Sequence, residues 1–198
     1  MTKDTRNRQK AEDVLKETAS LVEPVTSRFK GPRISEELEA SLRDIVEQFR
    51  RQSSEEPPPA SSVVVNRPIG LKVLLVGGSN RENALLAASI AGDIGKELYR
   101  ADLGSLAAGE AGPPKETLRL LLEATEERGC MLLLDNLDRL PASPSHQGTA
   151  GLELRSLLES IKTHPCLILL GIGSESGLDP KLTSNMDFVL PLSGAGRA

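Results

Sequence analysis

The octapeptide Gly77-Gly78-Ser79-Asn80-Arg81-Glu82-Asn83-Ala84 has the length of a loop that wraps phosphate, with most of the groups that would hold phosphate replaced. Such a loop reads G-x-x-x-x-G-K-[ST]. Glycines let backbone amides close round the anion, the lysine reaches the β- and γ-phosphates, and the hydroxyl holds Mg²⁺. Counted along that frame, Gly77 keeps the first glycine, while Glu82 stands for the second, Asn83 for the lysine and Ala84 for the hydroxyl. A carboxylate about 4 Å from a like charge, at an effective dielectric of about 20, repels it by about 4 kcal/mol, close to three orders of magnitude in affinity. Glu82 is also expected to be costly where the loop wants glycine-type backbone. The free amides at a helix N-terminus attract anions without any side chain. Gly77 to Ala84 are therefore retained as candidate nucleotide contacts by position, with ATP and Mg²⁺ as weak ligands at most.

A second candidate lies at the end of the apolar run Cys130-Met131-Leu132-Leu133-Leu134, which leads into Asp135-Asn136-Leu137-Asp138. Asp135 could hold a metal ion only if a magnesium nucleotide bound. Asn136 cannot accept a proton as a general base would. The bland reading of Asp135 and Asp138 is a polar turn at a strand end, and it is the favoured one. No catalytic residue and no metal site is assigned.

These residues need a frame to hold them. Apolar strand patterns near 71–76, 97–102, 131–135, 167–172 and 187–191 alternate with helical patterns near 83–93, 114–127 and 150–162, which argues an α/β fold, a parallel sheet covered on both faces. Upstream, residues 3–22 read as a charged helical stretch with a thin apolar stripe at Val14, Leu15, Leu21 and Val22. After Ser35, a candidate N-cap, Leu38, Leu42, Ile45, Val46 and Phe49 fall on one helix face. That face is an interaction face, to be buried on the core or on another chain. Residues 53–62, with Pro57-Pro58-Pro59, read as an extended linker. The expected organisation is a helical N-terminal segment over 1–52, the linker, an α/β core over 63–192 and a tail over 193–198.

The order of these segments resembles the core of the AAA+ ATPases. Residues 95–103 resemble that family's second strand, and 106–118 match in length the segment bearing its pore loop. Residues 130–138 resemble its hhhhDExD strand. Leu167-Ile168-Leu169-Leu170, Leu178-Asp179-Pro180-Lys181-Leu182 and Asp187-Phe188-Val189 resemble its sensor 1 strand and the segment after it. The resemblance covers about the last two-thirds of the chain. It implies a P-loop NTPase-like three-layer sandwich with a mostly parallel five-stranded sheet in the order 5-1-4-3-2. The chain ends soon after the last strand, so the helical lid of the family is not expected. The resemblance also implies losses: the sensor 1 position is Gly173, the arginine fingers fall on Ser184 and Asn185, and the pore-loop positions are Glu110 and Ala111 before Gly112. Arginine fingers are worth orders of magnitude in rate.

The remaining features set bounds. At 198 residues and 38% hydrophobic, the chain is expected to bury one core. A formal charge of -4 and no basic run argue against nucleic acid. No apolar stretch approaches the ~20 residues that span a bilayer, and the N-terminus has no signal-peptide pattern, so a cytoplasmic setting is the default. Cys130 and Cys166 read as small buried hydrophobes without metal-ligand spacing. Gly95-Lys96 reads as a helix cap, the glycines of 171–177 as a weak dinucleotide-loop likeness, and His146 and His164 as structural or solvated. The pattern of loss leads to a degenerate AAA+-like domain that does not hydrolyse ATP and acts through a protein partner or self-association, with an intact AAA+ subunit as one candidate. The alternative is an ATP-binding AAA+ ATPase whose atypical loop is completed by a partner subunit.

Overall fold

Five apolar runs form the centre of a six-stranded sheet. The computed structural model describes residues 3–22, 35–54, 70–140, 152–174 and 178–192. The strands are β1 (Ala19–Val22), β2 (Lys72–Val76), β3 (Leu98–Asp102), β4 (Met131–Asp135), β5 (Ile168–Ile172) and β6 (Phe188–Pro191). They lie in the order β1-β3-β4-β5-β2-β6. Without β1, this is the 5-1-4-3-2 order expected from the sequence. All pairs are parallel except β1 with β3, where Ala19 faces Ala101 and Val22 faces Leu98.

Helices cover both faces. On one side α1 (Lys3–Thr18), α4 (Leu103–Ala108), α5 (Pro114–Arg128) and α6 (Leu154–Ile161) bury Leu15, Leu106, Leu121 and Leu157 against Leu74, Leu132 and Leu170. On the other, α2 (Glu36–Ser54) and α3 (Asn80–Ile94) bury Ile45, Leu86 and Ile90 against Val73, Leu75, Leu133 and Leu169. Successive strand residues point to opposite faces. Strands covered on both sides therefore read as unbroken apolar runs. The short α7 (Pro180–Thr183) precedes β6, with the Asp179 side chain capping it.

Two expectations about the N-terminal residues are corrected. The stretch 3–22 is not all helix: α1 ends at Thr18 and residues 19–22 add a strand to the open edge of β3. Four residues are too few for a periodicity signal, and the unpaired edge decides their conformation. α1 is also part of the core, with Ala11, Val14 and Leu15 buried and Lys10 paired with Glu116 at 2.6 Å.

The face of α2 packs in cis. Ile45 and Val46 are buried in the core, and Leu38, Leu42 and Phe49 pack against it, so this face is not an open docking surface. Ser35 caps α2 as expected, accepting from the Leu38 amide at 3.2 Å. The helix runs through Ser54, into the start of the expected linker; the rest of the linker and the tail lie outside the described residues. No helix among the described residues is long and apolar enough to cross a membrane.

Ile45 has 0% exposure. Ile45→Ala is expected to lower the unfolding free energy by about 2–4 kcal/mol in urea titration, with a midpoint independent of protein concentration. A loss below about 0.5 kcal/mol, as at a surface site, would show that this face is not sealed against the core.

Candidate functional site

At the C-terminal end of the sheet, the loop after β2 closes on one of its own side chains. Gly77 takes φ 83 and donates its amide to Ile172 O at 2.9 Å, which turns the chain toward α3. Ser79 caps α3: its Oγ accepts from the Glu82 amide at 3.3 Å, and its own amide donates to Glu82 Oε2 at 2.8 Å. This is a reciprocal capping box, with a carboxylate at the positive end of a 15-residue helix. Hydrogen bonds from the Ser79 amide and hydroxyl hold the Glu82 carboxyl below the usual carboxylate range.

Two expectations about Glu82 change. The helix begins at Asn80 rather than near 83, so Glu82 sits in its first turn and needs no glycine-type backbone. Its carboxylate folds back on Ser79 and fills the helix end itself. Asn80 and Arg81 are exposed on the same turn, and Ala84 carries no hydroxyl.

Asn83, at the lysine position, is buried, and its Nδ2 donates to Asp135 Oδ1 at 3.0 Å. Two glycines make room for this amide. A Cβ on Gly78 would lie 2.6 Å from Asn83 Oδ1, and one on Gly171 would lie 2.2 Å from Asp135 Oδ1 and 2.6 Å from Asn83 Nδ2. Bare backbone that could approach a phosphate approaches a carboxamide instead. Asn83 Oδ1 has no hydrogen-bond partner.

Asp135 is the last residue of β4, at the strand end where the bland reading put it. It has 0% exposure, and its second oxygen, Oδ2, accepts from Arg100 Nε at 2.7 Å. Asn136 is the only non-glycine residue with positive φ among the described residues, at φ 62. Asparagine tolerates that region better than most residues. Its Nδ2 donates to Asp102 Oδ2, while Asp102 Oδ1 accepts from the Ser105 amide and caps α4. Asn136 therefore ties the exit of β4 to the exit of β3. Asp138 is exposed in the one-turn helix that follows, Leu137–Arg139.

These groups do not fit a magnesium nucleotide held in the manner of an intact loop. No cation stands at position 83 and no hydroxyl at 84. Both oxygens of Asp135 are engaged, and the helix end is capped by the chain's own carboxylate. Among the described residues, no group of three or more His, Cys, Asp or Glu could hold a metal ion.

The other singled-out residues lie elsewhere. Gly95 is the left-handed C-cap of α3, at φ 74, as expected. Gly171 and Gly173 sit at the end of β5, with 175–177 and His146 outside the described residues. Gly112 lies in the turn between α4 and α5, and Ser184 and Asn185 follow α7.

His164 is buried at the opposite end of the sheet. Its Nε2 bonds Leu122 O at 2.9 Å and its Nδ1 accepts from the Cys166 amide at 3.3 Å. Sequence reasoning missed its neighbour Lys72, whose buried Nζ donates to Gly70 O at 2.5 Å and His164 O at 2.9 Å. Burial pushes this amine down to about 8, against the opposing pull of Asp187. Cys130 and Cys166 are buried free thiols, raised by burial to about 11 and about 12.

Comparison with known proteins places this fold. The sequence profile of the ATPase family associated with various cellular activities (AAA) matches residues 73–193, more than half of the chain. The chain belongs to the AAA family. No curated protein sequence matches it. Among solved structures it is similar to the FIGL-1 AAA domain in complex with ADP, at 18% identity and a TM-score of 0.65, covering 91% of this chain and 61% of that one. The FIGL-1 AAA domain in a second crystal structure matches at 18% identity and 0.65, covering 92% and 60%. A structure describing katanin self-assembly matches at 14% identity and 0.62, covering 92% and 59%. The chain thus spans about three-fifths of the structures it matches, and the likeness to them is one of fold.

Burial holds the His164 imidazole below its ordinary value of 6.5. Below that pH the unfolded chain takes up a proton that the folded chain resists, so stability falls as pH drops. Relative to His164→Gln, the wild type is expected to lose unfolding free energy between about pH 7.5 and about pH 5. Paired urea titrations measure this; a difference constant across that range would contradict it.

Proposed function

We propose that this AAA domain does not hydrolyse ATP and serves as a protein-interaction or regulatory module, working through copies of itself or an intact AAA subunit. The observation that carries this reading is the state of Asp135: fully buried, with Asn83 on one oxygen and Arg100 on the other. A carboxylate so engaged already has a hydrogen-bond donor on each oxygen, and one of the two donors carries a full positive charge. The missing cation at 83, the missing hydroxyl at 84 and the amide at 136 point the same way. Self-association draws support from the katanin neighbour, whose structure is described by its self-assembly.

One observation favours a second reading. The FIGL-1 neighbour binds ADP on a similar fold, and Asp135 stands at the same strand end as the family's metal-side carboxylate. On that reading the chain is an ATP-binding subunit completed by a partner.

Titration of the pure full chain with a fluorescent ATP analogue, with and without Mg²⁺ and alongside a thermal-shift scan, separates the two. No saturable binding at millimolar analogue and no thermal shift are expected. Saturable binding that Asp135→Ala weakens would favour the second reading, and hydrolysis above background by the pure protein would overturn the first.

A further inference from the structure

We infer that Arg100 is the specificity-determining residue that closes this site to metal nucleotide, acting as a resident cation on Asp135. The inference rests on the reading above, that the site does not take magnesium nucleotide, and it names the group responsible.

Arg100 lies on β3 in register with Leu133, two residues before the Asp102–Asp135 pair. Those two carboxylates occupy facing positions on adjacent parallel strands, where neighbouring strands are about 4.8 Å apart. Like charges at such spacing destabilise one another unless a cation intervenes. Asp102 accepts from two neutral donors, the Asn136 side-chain amide and the Ser105 backbone amide. Asp135 takes the guanidinium, through Arg100 Nε at 2.7 Å.

Three properties suit Arg100 to a permanent role. A guanidinium is planar and delocalised, with N–H groups set to meet a carboxylate. It is tethered, so no metal ion has to be recruited from solution. Its side chain springs from β3 rather than from the loop, so restoring the loop alone leaves it in place. A divalent ion approaching Asp135 meets a bonded guanidinium and is repelled by its positive charge.

The distinction matters because the loop substitutions are the conspicuous ones. If Glu82, Asn83 and Ala84 were the whole obstacle, Glu82→Gly, Asn83→Lys and Ala84→Thr together would rebuild G-x-x-x-x-G-K-T and restore binding. With Arg100 in place, that triple variant is expected to remain without tight Mg-ATP binding.

The test compares the triple variant with the same variant carrying Arg100→Met, using mant-ATP titration with and without Mg²⁺ on the full chain. Arg100→Met is expected to tighten Mg-dependent binding by about tenfold or more, equivalent to about 1.4 kcal/mol. Equal affinity in both variants, or no binding by either, overturns the inference. Saturable binding by the wild type would instead sink the reading on which it rests, so the two failures are distinct.

Folding of the substituted proteins is controlled by a thermodynamic cycle in the wild-type loop. Arg100→Met alone strands a buried carboxylate and should lower the thermal midpoint. Adding Asp135→Asn should recover part of the loss, because the stranded charge is gone. Additive losses would show that Arg100 does not serve Asp135 and would also overturn the inference.

Discussion

A carboxylate with no exposure at the end of a central strand has to be neutralised by whatever the surrounding chain supplies, and the upper half of this molecule is arranged to do so. Asp135 draws Arg100 from β3 and Asn83 from α3. Gly78 and Gly171 are bare where Asn83 and Asp135 need space. The ties of Asn136 and Asp102 then fix how β4, β3 and α4 leave the sheet. Breaking one member of such a network leaves the others buried and unpaired, a larger penalty than the bond itself contributes.

The capping box at α3 answers a related demand at the other side of the loop. A helix N-terminus has unsatisfied amides and a partial positive charge, and an anion settles there readily. Glu82 meets that demand from within the helix. The positive helix end thus receives its anion from a side chain, as Asp135 receives its cation. In this half of the AAA scaffold, Glu82 and Asp135 are both paired with groups of the chain itself.

Much of the sheet was legible because unbroken apolar runs such as 131–134 and 167–170 admit few other structures. The helices α3 and α5 were legible from their periodicity, though α3 starts three residues early. That offset had a visible cause: Ser79-x-x-Glu82 is itself a capping-box signature. The frame of the site could be read from spacing, and two of the positions it singled out, Asn83 and Asp135, meet in the structure, with Glu82 one residue away on α3. What they touch could not be read. Arg100 meets Asp135 across 35 residues of chain and His164 meets Lys72 across 92. The one available hint was a charged residue inside an apolar strand, at Arg100 and at Lys72, since a buried charge must have a partner. β1 left no comparable trace, because its pairing is decided by the free edge of β3.

The two margins of the sheet have a consequence for how the chain behaves in a crowded solution. Each is a strand of four residues, β1 on one side and β6 on the other. β1 runs antiparallel to its neighbour, and β6 ends at Pro191, which has no amide hydrogen to offer. Short margins with few donors are poor templates for a foreign strand, the usual seed of aggregation and domain swapping. Leu21 and Val189, exposed at 56% and 40%, lie on these margins, so their apolar surface is displayed where strand addition finds little to grip.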